Sequence, residues 1–177
     1  MAAKAGPILS GISARYNKIR AGLDVGFADA DVSAALRKLR GGVWMTVEAD
    51  AVACEAVSGR LQPGTVLRMG AGEVLPFDDD QFEVVALNGA AISQQIVREI
   101  HRVLLPAGCL FFTVGELKKG GRDSTLSRLY NLFLKNGFDI TGLSRPPWWR
   151  FGVAGRTLTV CARKKAWKEH RSLKVWA

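Results

Sequence analysis

The stretch LPFDDDQFEVVALNGAAISQQIVREIHRVLLPAGCLFFTV, residues 75–114, decides the fold that this sequence predicts. Two apolar runs within it, FEVVALN at 82–88 and CLFFTV at 109–114, have the composition of buried strands. Between them, residues 92–105 place isoleucine, valine and leucine on one face of a helix, which the turn at 106–108 ends. A strand, a crossover helix and a second strand predict two parallel neighbours in one sheet.

Further apolar runs on both sides of this stretch extend the alternation of strands and helices. Upstream, strands are predicted at GLDVG (22–26), VWMTV (43–47) and TVLRM (65–69). The helices between them are predicted to run from a cap at Asp31 or Ser33 to Arg40, and over 49–59. Downstream, a helix is predicted at 124–137, followed by strands FDITGL (138–143) and RTLTVCARK (156–164).

The last two strands differ from the others because no helix lies between them. Strands joined without a crossover are antiparallel neighbours, whereas strands that alternate with helices are parallel. The predicted fold class is therefore α/β, a three-layer, doubly wound, mostly parallel seven-stranded sheet with an antiparallel last strand. We assign residues 1–164 to one domain with a leading helix at 1–20, and residues 165–177 to a basic C-terminal tail.

The composition indicates a basic domain that can fill a core. The chain is 48% hydrophobic and carries 25 basic against 16 acidic residues, for a net charge of +9. Such an excess favours acidic partners such as RNA, DNA or anionic lipid, although a basic protein without such a partner has the same composition. No apolar run approaches the ~20 residues that cross a bilayer, so no membrane span is predicted.

The cysteines and histidines do not form a recognisable site in the sequence. Cys54, Cys109 and Cys161 lie far apart among apolar neighbours, and we interpret them as core thiols in a reducing compartment, the cytoplasm or an organelle matrix. His101 and His170 are predicted to lie at the surface and to serve neither as catalytic base nor as metal ligand. No metal site is predicted.

The first twenty residues allow two interpretations. They carry four basic residues and no acid, a composition shared with organelle transit peptides. However, Ile8, Ile12, Tyr16 and Ile19 recur at helical spacing, and the first strand follows at once. We therefore expect a helix that belongs to the fold.

Four motifs, in this order and spacing, resemble the class I S-adenosylmethionine-dependent methyltransferases, and most closely their type 11 group, which includes quinone-biosynthesis enzymes. The motifs are LDVGFADAD (23–31), TVEAD (46–50), LPFDDDQFEVVALNG (75–89) and REIHRVLLPAGCLFFTV (98–114). LPFDDDQFEVV matches the family pattern L-P-F-x-D-x-x-F-D-x-V, and REIHRVLLPAG matches R-E-x-x-R-V-L-x-P-G-G. The resemblance covers roughly residues 20–164 and implies a Rossmann-like fold with S-adenosyl-L-methionine as the cofactor.

The resemblance also implies a cofactor loop after the first strand, which this chain alters. The family pattern there is D/E-x-G-x-G-x-G, and Asp24 and Gly26 match it. Phe27 follows, and Ala28 and Ala30 replace the second and third glycines. Glycine allows a close approach of the backbone to the ligand, and related proteins with alanine at the second position are familiar. We therefore expect Ala30 to disturb the loop more than Ala28.

Three further positions match cofactor contacts of the family. Glu48 matches the acid that accepts hydrogen bonds from the ribose hydroxyls, with a solvated strand-end acid as the alternative. Ala71 stands where the family often has an acid for the adenine amino group, so Gly72 is left to offer its backbone amide. Asn88 matches the place where the methionine end meets the substrate, although a simple turn at 88–89 explains it equally well.

A basic aromatic loop, SRPPWWRF at 144–151, is the candidate contact for nucleic acid or a protein partner. Trp148 and Trp149 can stack on bases while Arg145 and Arg150 contact phosphates. A rigid apolar turn packed on the core is the alternative.

The sequence leaves three functions open. Little material for a lid precedes the first strand or follows the fifth, and an open, basic site favours methyl transfer to a macromolecule, RNA or protein. A methyltransferase-like subunit that has lost turnover and binds RNA or protein in a larger assembly is the second hypothesis. A small-molecule, quinone-like acceptor is the third. The catalytic residue stays unassigned, because positioning of an activated methyl group needs no universal side chain.

Overall fold

The computed structural model describes residues 6–88, 92–114, 124–144 and 158–166. In these ranges the α-helices are α1 (Gly6–Arg15), α2 (Ala30–Lys38), α3 (Ala51–Ser58), α4 (Gln94–Val103) and α5 (Ser124–Lys135). The strands in the same ranges are β1 (Ala21–Val25), β2 (Val43–Glu48), β3 (Val66–Arg68), β4 (Phe82–Leu87), β5 (Leu104–Val114), β6 (Phe138–Ser144) and β7 (Leu158–Lys164).

The strands form one sheet in the order β3-β2-β1-β4-β5-β7-β6. The pairs β1–β2, β1–β4, β2–β3 and β4–β5 are parallel. β7 is antiparallel to both of its neighbours, β5 and β6. The predicted fold class is confirmed, including the antiparallel last strand.

Helices cover both faces of the sheet because the buried strands are apolar on both sides. One core cluster packs α4 and α5 against the sheet and includes Leu23, Val25, Val85 and Phe112. The other packs α1 and α2 against the opposite face. Gly22 is required there, since a Cβ at this position would lie 2.5 Å from the Trp44 ring.

The helix near the N-terminus, α1, is shorter than the apolar spacing suggested. Ile8 and Ile12 are the buried residues of α1, whereas Tyr16 and Ile19 follow the end of the helix. The Tyr16 hydroxyl donates to the backbone oxygen of Glu83 at 3.2 Å, which fastens the end of α1 to the start of β4.

The predicted starts of α2, α4 and β5 were wrong. α2 begins at Ala30 because Asp29, not Asp31 or Ser33, is the N-cap and accepts the amide of Asp31. α4 spans Gln94–Val103 instead of 92–105, because the hydroxyl of Ser93 caps it. β5 then starts at Leu104, five residues earlier than predicted.

The segment before β4 is held by the R-E-x-x-R motif of α4. Glu99, which is 8% exposed, accepts the amide of Leu75 at 3.0 Å, and Arg102 donates to the backbone oxygens of Leu75 and Phe77 at 3.0 and 2.7 Å. Arg102 also pairs with Glu99 at 2.7 Å. The motif therefore fixes the approach to β4 and leaves the carboxyl edge of the sheet to the loops.

Candidate cofactor site at the carboxyl edge of the sheet

The loops that follow β1, β2, β3 and β4 meet at the carboxyl edge of the sheet. β1 lies between β2 and β4, so the chain leaves it in opposite directions along the sheet. Open α/β sheets bind ligands at this reversal of strand order. The residues predicted to contact the cofactor come from these loops and from the last residues of β1 and β2.

Glu48, the last residue of β2, is bound to the loop after β1. Its Oε1 accepts the amide of Ala28 at 2.8 Å, and only 2% of the residue is exposed. Burial raises the pKa of the Glu48 carboxyl, and the hydrogen bonds from the amides of Ala28 and Phe27 oppose that rise. The structure therefore brings together three of the predicted cofactor residues, with the carboxylate already accepting hydrogen bonds from the loop.

The two alanines of the loop differ in backbone conformation. Gly26 has φ +70° and Ala28 has φ +52°, both in the left-handed region that favours glycine. Ala30 is the first residue of α2 and is 6% exposed. Contrary to the expectation from the sequence, the backbone strain is at Ala28, while Ala30 occupies a helical position that suits alanine.

Asn88 joins the end of β4 to the same loop. Its Nδ2 donates to the backbone oxygen of Gly26 at 2.8 Å, and its amide donates to the oxygen of Val25 at 3.0 Å. The structure thus brings Asn88 next to the predicted cofactor loop. Its contact with the methionine end or with a substrate stays a prediction.

The turn after β3 contributes backbone rather than a carboxylate. Gly72 has φ +71°, and no atom of another described residue lies within 4 Å of the position that a Cβ would occupy there. Ala71 is exposed, and the neighbouring Glu73 accepts a hydrogen bond from Ser93 at the start of α4. Glu73, the acid two positions after Ala71, is therefore bound to the residue that caps α4.

Asp24 points away from this edge, into a polar network under α2. The alternation of β1 sends Leu23 and Val25 to one face and Asp24 to the other, where it is fully buried. Thr46 and Ser33 donate their hydroxyls to its carboxylate at 2.9 and 3.2 Å. Its described partners are protein groups, and a direct contact with the cofactor stays a prediction.

Arg37 completes this network and was not singled out from the sequence. Its guanidinium lies 3.5 Å from Asp24 and donates to the hydroxyls of Thr46 and Thr65 at 2.9 and 3.0 Å. Desolvation outweighs this long ion pair, and the pKa of Asp24 rises to about 7. The signal available beforehand was Ser33 and Arg37 at i,i+4 spacing on the apolar side of a helix.

The predicted contacts for nucleic acid or a protein partner, Arg145, Trp148, Trp149 and Arg150, fall outside the described residues. His101 is half-buried, not at the surface, with its ring edge-on to Phe138 at 5.2 Å.

Cys109 and Cys161 are buried, as expected, while Cys54 is half-buried. The interaction between the two buried thiols lowers the pKa of Cys109 and raises that of Cys161. Among the residues that the structure describes, no group of three or more side chains could hold a metal ion. Within the same ranges, no helix is both long and apolar enough to cross a membrane.

The edge fits the family's methyl donor. The buried carboxylate of Glu48 stands at the end of β2, and no described residue fills the space beside Gly72 in the turn after β3. The loop between β1 and α2 offers a polar backbone at the same edge. Phosphate binding at a helix N-terminus, by contrast, needs glycines that the loop lacks.

Comparison with known proteins identifies the family. A family profile described as "Methyltransferase domain", of type 11, matches residues 23–112, just over half of the chain. The matched region runs from within β1 to within β5 and includes all the loops of the candidate site. The resemblance drawn from the motifs is confirmed.

Individual relatives agree with this assignment. The demethylmenaquinone methyltransferase of Chlorobaculum tepidum is 27% identical over 118 residues, 64% of this chain and 47% of the relative, so the chain spans about half the length of that relative. A structure of an S-adenosylmethionine-dependent methyltransferase from Methanosarcina mazei matches with a TM-score of 0.68 and 16% identity, covering 90% of this chain and 98% of that one.

A chain of the Haloferax volcanii complex between the Trm112 methyltransferase activator and a methyltransferase matches with a TM-score of 0.67 and 17% identity, covering 88% and 87%. At these identities the two structures support the fold alone. The chain belongs to the type 11 methyltransferase-domain family of class I methyltransferases, for which S-adenosylmethionine is the cofactor.

Proposed function

We propose that the protein transfers a methyl group from S-adenosylmethionine to an acceptor at the carboxyl edge of its sheet. The observation that carries the proposal is the position of Glu48, a buried carboxylate in contact with the loop after β1 in a chain of this family. When bound, S-adenosylmethionine supplies a methyl group activated by the sulfonium. The protein's own residues bind and orient it.

The contacts of the site suggest how this chain holds the donor. Glu48 would accept hydrogen bonds from the ribose while its Oε1 keeps the amide of Ala28, 2.8 Å away. Gly72 would offer its backbone to the adenine, since the space beside it is open. Asn88 would fix the loop through its bond to Gly26. Transfer itself would depend on alignment with the acceptor, which can supply much of a rate enhancement.

We propose a macromolecule, RNA or protein, as the acceptor. The support is the net charge of +9 and the basic aromatic segment 145–150, which would contact phosphates and stack on bases. The pairing of a similar fold with the Trm112 activator in Haloferax volcanii is compatible with action inside an assembly.

A small apolar acceptor is the second candidate, and a cavity favours it. A cavity of about 550 Å³ lies between α5 and the strands β5, β6 and β7, within the size range of small-molecule sites. Its walls include Phe112, Leu129, Tyr130, Ile140 and Val160. A ring or short apolar chain would suit these walls, as would the quinone-type acceptor of the Chlorobaculum tepidum relative.

Calorimetric titration with S-adenosylhomocysteine separates an enzyme from a subunit without turnover. Micromolar binding supports the proposed function. The absence of binding at millimolar ligand would instead favour the subunit without turnover. The alanines at positions 28, 30 and 71 also support that hypothesis.

Transfer of a radioactive methyl group then identifies the acceptor class. The protein is incubated with labelled S-adenosylmethionine and, separately, with total RNA, a protein extract and an apolar extract containing quinones. Label in RNA or protein supports the macromolecular acceptor. Label only in the apolar extract would refute it in favour of the small molecule, and a Glu48→Gln variant serves as the matched control for enzyme-dependent transfer.

A further inference from the structure

A second cavity lies on the face of the sheet that α1 covers, beside β5, β6 and β7. Its volume is about 270 Å³, just below the size of a typical drug-binding pocket. Phe111 forms an apolar wall, and Gly11 of α1 and Gly142 of β6 also line the cavity. A Cβ on Gly11 would lie 3.3 Å from the Phe111 ring, and one on Gly142 would lie 3.6 Å from Cys161.

A buried hydroxyl at this cavity has no partner among the residues that the structure describes. Thr159 on β7 lines the cavity and is 3% exposed, and its Oγ1 makes no hydrogen bond with those residues. A buried hydroxyl without a partner costs free energy, so native structures seldom keep one unless water or a ligand satisfies it. The hydroxyl is therefore a group to which a bound ligand could form a hydrogen bond.

A positively charged side chain, that of Arg15, lies at the same cavity. Arg15, the last residue of α1, is exposed and donates from Nη1 to the sulfur of Cys161 at 3.5 Å. Within the described part of the chain no carboxylate pairs with Arg15. The rim of the cavity therefore carries a positive charge that a small anion can approach.

We propose that this cavity binds a small carboxylate with an apolar ring or short chain. The carboxylate pairs with Arg15, the apolar body lies against Phe111, and a polar atom of the ligand bonds to Thr159. Guanidinium groups match the geometry of carboxylates, and the few polar groups in an otherwise apolar cavity give such a site its orientation. This site is independent of the proposed methyl transfer.

Benzoate is a suitable probe, with benzamide as its uncharged counterpart. In ¹H–¹⁵N NMR titrations of the full-length protein, benzoate should shift the amide signals of Gly11 and Gly142 saturably at millimolar concentration. Benzamide should bind at least tenfold more weakly, because charge-assisted hydrogen bonds are the stronger ones. Equal shifts with both probes, or shifts that never saturate, would overturn the proposal.

Variants locate the site. Arg15→Gln should weaken benzoate binding at least tenfold, whereas Arg98→Gln, which removes an exposed charge from α4 on the opposite face, should leave it unchanged. Thr159→Val should raise the melting temperature of the free protein, because an unsatisfied hydroxyl is removed, and yet weaken benzoate about fivefold.

A cavity-filling variant guards against misfolding as an explanation. Ala14→Leu places a larger side chain at the exposed rim without altering a polar group, and it should abolish the shifts while the melting temperature is kept. Unchanged binding in Ala14→Leu, or equal weakening in Arg15→Gln and Arg98→Gln, would place benzoate elsewhere and refute the site.

Discussion

Replacing Ala28 by glycine should stabilise the protein, although glycine usually destabilises. Ala28 has φ +52° and its side chain is exposed, so the substitution removes left-handed strain and loses little packing. The amide that donates to Glu48 is kept. The loop therefore gains a residue suited to its backbone and keeps its hydrogen bond.

The expected size follows from two opposing terms. A left-handed conformation costs an L-residue about 1–2 kcal/mol, whereas glycine loses about 0.5–1 kcal/mol more backbone entropy on folding. The net gain in the free energy of unfolding is about 0.5–1 kcal/mol. Ala56→Gly, at an exposed position inside α3, is the matched control and should lose about 1 kcal/mol.

Urea unfolding of the wild-type protein and both variants measures the difference. Ala28→Gly and Ala56→Gly should differ by about 1.5–2 kcal/mol, with opposite signs relative to wild type. Ala107→Gly, at φ +65° in the turn before the parallel part of β5, should behave like Ala28→Gly and leave S-adenosylhomocysteine affinity unchanged. If Ala28→Gly destabilises as much as Ala56→Gly, the strain argument is refuted.

Three further predictions test the network around the site. Glu48→Ala should abolish S-adenosylhomocysteine binding in calorimetry, and it should lower the melting temperature because the loop amides lose their acceptor. Glu48→Gln should keep most of the stability. An unchanged affinity in Glu48→Ala would refute the ribose assignment. Asp24, whose pKa rises from 3.8 to about 7, stabilises the fold only while protonated, so its contribution is complete below pH 4 and lost as the pH rises through 7. Urea unfolding should therefore show that, between pH 4 and 8, the free energy of unfolding of Asp24→Asn rises relative to that of the wild type by up to about 4 kcal/mol. A constant difference between the two proteins over this pH range would contradict the prediction. Arg102→Ala should cost about 3 kcal/mol in the same assay, because it leaves the carboxylate of Glu99 largely buried without its cation, and a loss under 1 kcal/mol would show that solvent compensates.

The order of strands and helices could be predicted because it depends on the alternation of apolar and polar residues along the chain. The ends of the helices could not be predicted in the same way, because several neighbouring polar side chains can each serve as the N-cap. Asp29, Asp31 and Ser33 are all good N-caps by composition, and the tertiary position of the loop selects Asp29. Strand alternation, if applied to Asp24, would have placed its side chain under α2.

The site was predictable as a set of positions and not as a set of contacts. Glu48, Gly26 and Asn88 do meet at one edge, since carboxyl ends of parallel strands share it. That Glu48 accepts the amide of Ala28, and that Asn88 donates to Gly26, depends on loop conformation, which has no periodic signal in sequence. The cavity under α1 was likewise beyond prediction, because Arg15 and Thr159 are 144 positions apart.

The polar network under α2 has a consequence for the outermost strand. β3 is only three residues long and has a single neighbour, so an isolated strand of this kind would open readily. Arg37, however, connects Asp24 of β1 and Thr46 of β2 to Thr65, the residue before β3, and Thr46 donates its amide to the oxygen of Thr65 at 2.8 Å. Hydrogen exchange at the amide of Thr46 should then report the opening of the central strands, so that edge and centre of the sheet unfold as one cooperative unit.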